Sequence, residues 1–483
     1  MSRVDGSRAG HSIAGLSAFL SMSLLLALPH PARARTWHVN PAGTGDAPTI
    51  QSAMLAASAG DTVELACGTY NEHGITLTSG VCLRSATGQY ACATIDGGYQ
   101  GIILTGTNLD ATTRLEGITV KHGGLLIPGP LAIGSIGPGL QLTNASPVIA
   151  RCRFVSNVGY LEGGGIAASG GGAIVLNDCL VDSNSCYGHD NPNAGQGGGI
   201  YCSGTALTMT RVTVRDNWSG SSGGGVYSDY PASTVTDCVF SRNHTRGQGN
   251  AFTGYGAITG STFSHNDNGS GGLWLTAATN VSNTIIAFGT AVTCTGSTAL
   301  SCCDVYGNTG GDWVSCLAGQ ESVRGNFSAD PVFCNPDSNQ LTLDAESPCL
   351  PGRDPVGPDC GLIGALPAGC AASTGVAAGA AGGSPGGRDG AAAFSLAPCA
   401  PDPFGAGTLV RYAIPAAAPV SLRIYDAAGR AVRTLSRGAE SAGTHALFWD
   451  GRDDRGHAAP GGVYFCVLSA SGRMESTRVV RLR

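Results

Sequence analysis

The sequence predicts an all-β protein: a right-handed parallel β-helix solenoid, opened by a short N-terminal capping helix and followed by a small β-sandwich. Three observations carry this. A short apolar unit ending in asparagine recurs five times through the middle of the chain, with the asparagines at 157, 184, 217, 243 and 266. Between these units a glycine run leads into an aliphatic residue and, in most copies, an aromatic one. Past residue 394 both landmarks stop, and longer stretches of alternating apolar and polar residues take over.

The N-terminus reads as an export signal. Arg3 and Arg8 precede an apolar stretch from Ile13 to Leu28, and Ala32-Arg33-Ala34 is a small-x-small cleavage site, so the mature chain is expected to begin at Arg35. Ser17, Ser21 and Ser23 interrupt the apolar stretch. No later segment approaches the ~20 apolar residues that span a bilayer, so no transmembrane span is expected in the mature chain. A solenoid end exposes strand edges and core, so residues 37–70 are expected to cap it. Trp37-His-Val reads as a strand. Thr49 to Ala57 reads as a helix with Ile50, Ala53, Met54 and Ala57 on one face, and Asp61–Leu65 and Gly68–Tyr70 as the first coil.

The repeating unit runs Cys152-Arg-Phe-Val-Ser-Asn157, Cys179-Leu-Val-Asp-Ser-Asn184, Val212-Thr-Val-Arg-Asp-Asn217, Cys238-Val-Phe-Ser-Arg-Asn243 and Ser261-Thr-Phe-Ser-His-Asn266. The second landmark is Gly163-Gly-Gly-Ile, Gly197-Gly-Gly-Ile-Tyr, Gly223-Gly-Gly-Val-Tyr and Gly271-Gly-Leu-Trp. Repeats of this length mean a solenoid, a propeller or an array; a propeller blade of ~40–45 residues is too long, and leucine-rich repeats would show recurrent leucines. Each unit reads as two or three short strands in one coil, stacked in parallel on the next at ~4.8 Å. The first and third residues of each unit then point inward, with cysteine serving as a small apolar filler. Asn157, Asn184, Asn217, Asn243 and Asn266 form a ladder where the chain bends, a conformation asparagine tolerates. Arg151, Asp178, Arg211 and Asp237 each precede an inward residue. They are expected to face outward as a column of alternating sign that holds register and has no catalytic role.

Residues 371–393 are an Ala/Gly/Ser-rich linker. Beyond it, Leu409–Ile414, Val420–Tyr425, His445–Trp449, Val463–Leu468 and Arg478–Leu482 read as strands, with a turn at Asp426–Gly429. The expected segments are therefore 1–34 (signal), 35–370 (solenoid), 371–393 (linker) and 394–483 (sandwich). The formal net charge of -6 gives no basic footprint for nucleic acid. The 18 cysteines, without the CxxC pairs of a zinc site, suit an oxidising compartment, secreted or attached to the cell surface. Local staples are expected between Cys334 and Cys349, Cys360 and Cys370, and Cys302 or Cys303 and Cys316; Cys152, Cys179 and Cys238 are expected to stay unbridged to one another.

Two resemblances add to this reading. Pro48-Thr-Ile-Gln51, Ala59-Gly-Asp-Thr-Val63 and Gly68-Thr-Tyr70 resemble the opening of bacterial pectate-lyase-like β-helix proteins. The Gly-Gly-Gly-Ile-Tyr and Cys-x-Phe-x-x-Asn units resemble repeats of that group and of polymorphic outer-membrane proteins. Phe327–Phe333 and Glu346–Cys349 resemble the group's closing coils, so the resemblance spans residues 37–370 and implies the fold. Residues 399–483 resemble the FlgD-type immunoglobulin-like domain and the related sorting tails of type IX secretion. The matching residues are Tyr425-Asp-Ala-Ala-Gly-Arg430, Trp449-Asp-Gly451, Asp454-Arg-Gly456 and Pro460-Gly-Gly-Val-Tyr464. That likeness implies an Ig-like sandwich with Trp449 in its core and Asp450, Asp453 and Asp454 in turns, and export or sorting machinery as a partner. The final Arg-Leu-Arg departs from the lysine-rich ending common in such tails.

Enzymes of the first group act on acidic polysaccharides with paired carboxylates, or with calcium and an arginine base. The galacturonase-like Asn-Thr-Asp, Gly-His-Gly and Arg-Ile-Lys pattern is absent, and the Asp453-Asp454 pair falls in the sandwich. Neither a P-loop nor a HExxH motif occurs. The candidate catalytic residues form an outward polar stripe before the asparagines: Asp182, Arg215, Asp216, Arg242 and His265. A solvated face of mixed sign is its plainer reading. The function expected is non-catalytic binding of polysaccharide or cell-surface glycan by an exported protein. The alternative is a polysaccharide lyase or glycoside hydrolase acting on uronate-containing polymers, with cleft walls from the insertions Leu125–Gly139 and Tyr187–Gly198. No cofactor is expected, and calcium only for a lyase.

Overall fold

The computed structural model describes residues 34–125, 139–188, 194–267, 271–276, 279–336, 339–370, 394–397, 399, 404, 408–440, 443–449, 451–455 and 457–481. The expected export signal up to residue 33, the linker, residues 126–138 of the first inter-coil insertion and residues 189–193 of the second lie outside the described residues.

Three parallel sheets run the length of the solenoid, with 11, 10 and 9 strands. The first extends from Thr36–Val39 to Thr298–Ser301, the second from Gly68–Tyr70 to Asp304–Tyr306, and the third from Ile75–Thr76 to Thr293–Cys294. Each repeating coil adds one strand to every sheet. In the second sheet the register runs Arg153, Leu180, Thr213, Val239, Thr262, Ile285, all in parallel. A short ribbon of two-residue strands follows the asparagines: Val158–Gly159, Ser185–Cys186, Trp218–Ser219 and His244–Thr245. The molecule is thus a parallel β-helix.

The third residue of each unit fills the core. Phe154, Val181, Val214, Phe240 and Phe263 are all buried, and the rings of Phe240 and Phe263 stack with centroids 4.5 Å apart. The strands last only two to five residues because the coil must turn at every sheet edge. Arg151, Asp178, Arg211 and Asp237 sit at one such corner, between the first and second sheets, with φ of 51°, 54°, 51° and 53°. They are left-handed corner residues, not outward strand residues, so the period-of-two argument for their direction does not apply.

The next residue stabilises this corner. Cys152, Cys179 and Cys238 donate their thiols to the carbonyl two residues back, at Ala150 (3.4 Å), Asn177 (3.2 Å) and Thr236 (3.1 Å). Ser261, Thr284 and Cys303 make the same bond to Thr259, Ser282 and Ser301. The cysteines are therefore donors as well as fillers, hydroxyls take their place at Ser261 and Thr284, and Val212 fills the same place without a side-chain donor. None of these four cysteines is bridged.

The asparagines end the second-sheet strands through their side chains. Nδ2 of Asn184 donates to the Phe154 carbonyl in the preceding coil (3.0 Å) and to Oδ1 of Asn217 in the next (3.0 Å). Asn157, Asn217 and Asn243 repeat both bonds, and Asn266 donates to Phe240 O. The left-handed backbone falls one residue earlier than expected, at Ser156, Ser183, Asp216, Arg242 and His265.

Both ends are covered. The cap helix is Ile50–Ala56; Thr49 and Ser52 form a reciprocal capping box. The Glu72 carboxylate accepts from the amides of Ile50 and Gln51. At the far end Phe327 makes one parallel bridge with Asp304. The chain then folds into an antiparallel hairpin, Phe333–Asn335 with Gln340–Leu343, in place of the expected closing coils. Four disulfides staple the solenoid among the described residues: Cys67–Cys92, Cys294–Cys316, Cys302–Cys360 and Cys334–Cys370. These correct the expected pairs Cys334–Cys349 and Cys360–Cys370, and give Cys316 the partner Cys294 instead of Cys302 or Cys303. Spacing along the chain misleads because the cap brings distant segments side by side.

The C-terminal region is a small antiparallel β-sandwich. One layer holds Ser395–Leu396, Thr408–Ile414 and Gly443–Trp449; the other holds Ala431–Glu440, Ala418–Asp426, Gly462–Ala470 and Arg473–Arg481. Trp449, Phe404, Tyr464 and Cys466 are among its buried residues. The Asp426 carboxylate accepts from the amides of Ala428 and Arg430, which closes the expected turn. Asp453 likewise accepts from Arg455 and His457, and Asp454 from Thr434.

Candidate functional site

The predicted polar stripe divides into two columns. Asp182 and Arg215 are in-register strand residues. Asp216, Arg242 and His265 are left-handed corner residues. Asp182 is only 5% exposed. Its Oδ2 accepts from Arg153 (3.1 Å) and Arg215 (3.0 Å), and its Oδ1 from the Ser183 hydroxyl. Asp216 Oδ1 lies 2.6 Å from Nη2 of Arg411, a sandwich residue; the contact is ionic and lacks hydrogen-bond geometry. Burial pushes the Asp216 carboxyl above its ordinary value, against the pull of Arg411. Arg242 donates to the Pro336 carbonyl, and His265 Nδ1 meets the Ser264 hydroxyl at 2.7 Å. Each carboxylate of the stripe is thus engaged by arginine, and the stripe is not the open, solvated face expected.

In the charge column Arg211 grips both carboxylate oxygens of Asp178, at 2.7 and 3.0 Å. This bond holds the Asp178 carboxyl below its ordinary value. Arg151 turns the other way, to Glu116 and the Gly88 carbonyl. The column is therefore one direct pair flanked by longer-range neighbours, not a continuous alternating ladder. Among the described residues, no group of three or more His, Cys, Asp or Glu side chains is placed to hold a metal ion.

A different face gathers aromatic and polar side chains in register, with Tyr227 and Trp274 partly exposed and Tyr201 and Thr253 buried. On the third sheet the strands Ile200–Ser203, Val226–Ser228, Phe252–Gly254 and Leu273–Leu275 stack in register, so Tyr201, Tyr227, Thr253 and Trp274 form one outer column. The aliphatic residue before each of them, Ile200, Val226, Phe252 or Leu273, is in the core. The rings of Tyr201 and Tyr227 stack at 5.3 Å with 12° between planes. Beside them runs a polar column from the glycine loops: Glu162 bridges Gln196, and Ser222 bridges Gln248. Burial pushes the Glu162 carboxyl above its ordinary value, with the nearby Tyr201 hydroxyl opposing this and the Asp229 charge adding to it. Asp229 itself accepts from Ser203 and from the Gly204 amide. Past the polar column, Tyr187 packs on Trp218 at 5.1 Å and the Arg246 guanidinium lies over the Trp218 ring.

Expectations from the sequence centred on the asparagine units and passed over this face. The signal was present in Gly-Gly-Gly-Ile-Tyr, Gly-Gly-Gly-Val-Tyr and Gly-Gly-Leu-Trp: with the aliphatic residue inward, the aromatic must point outward.

Residues 405–473 match the FlgD Ig-like domain family, so the sandwich carries that likeness on the strands described above. No curated protein matches the chain significantly. Among solved structures, XylC in complex with xylose aligns at 11% identity over 86% of this chain and 100% of that one, with a TM-score of 0.35. The full-length tailspike protein 2 of an Escherichia coli O157:H7 bacteriophage aligns at 11% identity over 92% of this chain and 68% of that one, with a TM-score of 0.29. Likeness at this level says nothing of activity.

Proposed function

We propose that the protein is an exported, non-catalytic glycan-binding protein that lays a polysaccharide along the outer face of the third sheet. The observation that carries the reading is the partly exposed pair Tyr227 and Trp274 in one register column, backed by buried Tyr201 and flanked by Glu162, Gln196, Ser222 and Gln248. The partly exposed rings of Tyr227 and Trp274 offer apolar surface to the C–H faces of sugar rings, while neighbouring carboxyl, amide and hydroxyl groups pair with sugar hydroxyls. A stack of coils repeats this arrangement along one line, which suits a polymer. The carboxyls of Glu162 and Asp229 disfavour a chain of uronates, so the polymer is one of neutral sugars. The disulfides support passage through an oxidising compartment. The FlgD-like sandwich following the 371–393 linker is read as an attachment or sorting module at the end of a solenoid spanning 35–370.

The test is affinity electrophoresis in gels cast with xylan, a mixed-linkage β-glucan or polygalacturonate. Retardation by a neutral polymer is expected, with roughly tenfold weaker binding for Tyr227→Ala or Trp274→Ala, the loss of about 1–2 kcal/mol of stacking. The Asp182→Asn variant should bind as the parent does. Retardation by none of the polymers, or undiminished binding in the Tyr227→Ala/Trp274→Ala double variant, overturns the reading.

A further inference from the structure

The sandwich contains two buried thiols that face each other. Cys399 and Cys466 are both buried in its core, and their sulfurs lie 3.2 Å apart. Cys466 sits mid-strand in the four-stranded layer, in register with Ile424 on one side and Thr477 on the other. Cys399 belongs to the segment that joins the layers. That segment leaves the three-stranded layer after Ala397, whose amide donates to Arg411 O, and reaches the other at Phe404, whose amide donates to Val480 O. A bond between the two sulfurs would therefore tie the entering chain to the centre of the opposite layer, within the core cluster that also holds Trp449.

The solenoid thiols behave otherwise. Cys152, Cys179, Cys238 and Cys303 each point at a carbonyl of their own corner. They take part in the coil's hydrogen bonding, and the bonds described above do not join one cysteine to another. The Cys399–Cys466 juxtaposition has no counterpart in that scheme.

We propose that Cys399 and Cys466 form a fifth disulfide, linking the layers of the sandwich once the chain is exported. Closing it requires a sulfur approach of about 1 Å, from 3.2 Å to the bonded distance of about 2.05 Å. The reaction is thiol–disulfide exchange with a protein oxidant in its disulfide form. The two thiols lose their protons and two electrons, one S–S bond forms in the sandwich, and the oxidant's S–S bond is reduced to two thiols. The bond closes a loop of 67 residues and constrains most of the domain in its unfolded state.

The full chain, recovered from an oxidising compartment, is denatured without reductant, alkylated, digested and analysed by mass spectrometry. A peptide pair joined through residues 399 and 466, separable by reduction, is expected. Recovery of both as alkylated cysteines, or of either joined to a different cysteine, overturns the proposal. A second readout does not depend on folding. In denatured, unreduced protein, Cys399→Ser should raise the free-thiol count by one, because it releases Cys466; if no bond exists, the count falls by one.

Discussion

At the scale of single residues, two side-chain columns let the chain turn sharply in coil after coil. A left-handed corner in a non-glycine residue is unfavourable by itself. In four of the five units the corner before the unit is followed by a thiol or hydroxyl that satisfies the carbonyl two residues back (Val212 is the exception), and in all five the corner after it is followed by an asparagine that satisfies a carbonyl in the coil below. Asn217 is central to its ladder. It donates to Val181 O and Asn243 Oδ1, and its Oδ1 receives both the backbone and the side-chain amide of Asn184. Asn217→Ala should cost about 3–5 kcal/mol, because several buried groups lose their partners together. Urea unfolding followed by circular dichroism measures this, and a loss under about 1 kcal/mol would mean that water replaces the ladder.

At the scale of elements, the last strand of the second sheet, where the closing segment packs on it, carries the structure's clearest dependence on pH. Asp304 begins the last strand of the second sheet and is fully buried. Its Oδ1 accepts from the Ala329 amide, and its Oδ2 meets the Cys349 thiol at 3.2 Å. Burial pushes this carboxyl up to about 7 from an ordinary 3.8. The folded state therefore holds a proton that the unfolded chain releases between about pH 4 and 7. By linkage, this group's contribution to stability declines as pH rises through that window and is level above about 7, a total of roughly 4 kcal/mol. Asp304→Asn mimics the neutral acid, so its stability difference between pH 5 and pH 8 should be smaller than the parent's. Equal differences in the two proteins, by urea titration, would show that Asp304 titrates normally.

At the scale of the whole molecule, stacking makes each coil depend chiefly on its neighbours, and the sandwich has a core of its own. A chain ending at residue 370 should keep the solenoid's far-ultraviolet spectrum and melt within a few degrees of the parent. It should also change where the exported protein accumulates, judged by fractionating cells and medium. Collapse of the solenoid on truncation would make the Asp216–Arg411 contact part of one cooperative unit.

The architecture was legible because its causes are local. A repeated unit of apolar and polar residues must place like residues one above another, so Cys152, Phe154 and Asn157 with their successors announce a stack of parallel coils before any contact is known. The aromatic column was equally readable in the Gly-Gly-Gly-Ile-Tyr repeats, since strand alternation decides which side chain faces out. What only the tertiary structure decided were pairings between segments far apart in sequence. Cys302 meets Cys360, Cys334 meets Cys370, and Arg411 reaches Asp216 because the end cap and the sandwich fold back across many residues. The corner residues changed role for a related reason. Arg151 and Asp178 alternate correctly along the chain, but a backbone turned to positive φ no longer obeys the period of a strand. Local periodicity dictates the coil; the direction of a side chain at a corner, and the partner it finds, depend on where the next coil has carried the chain.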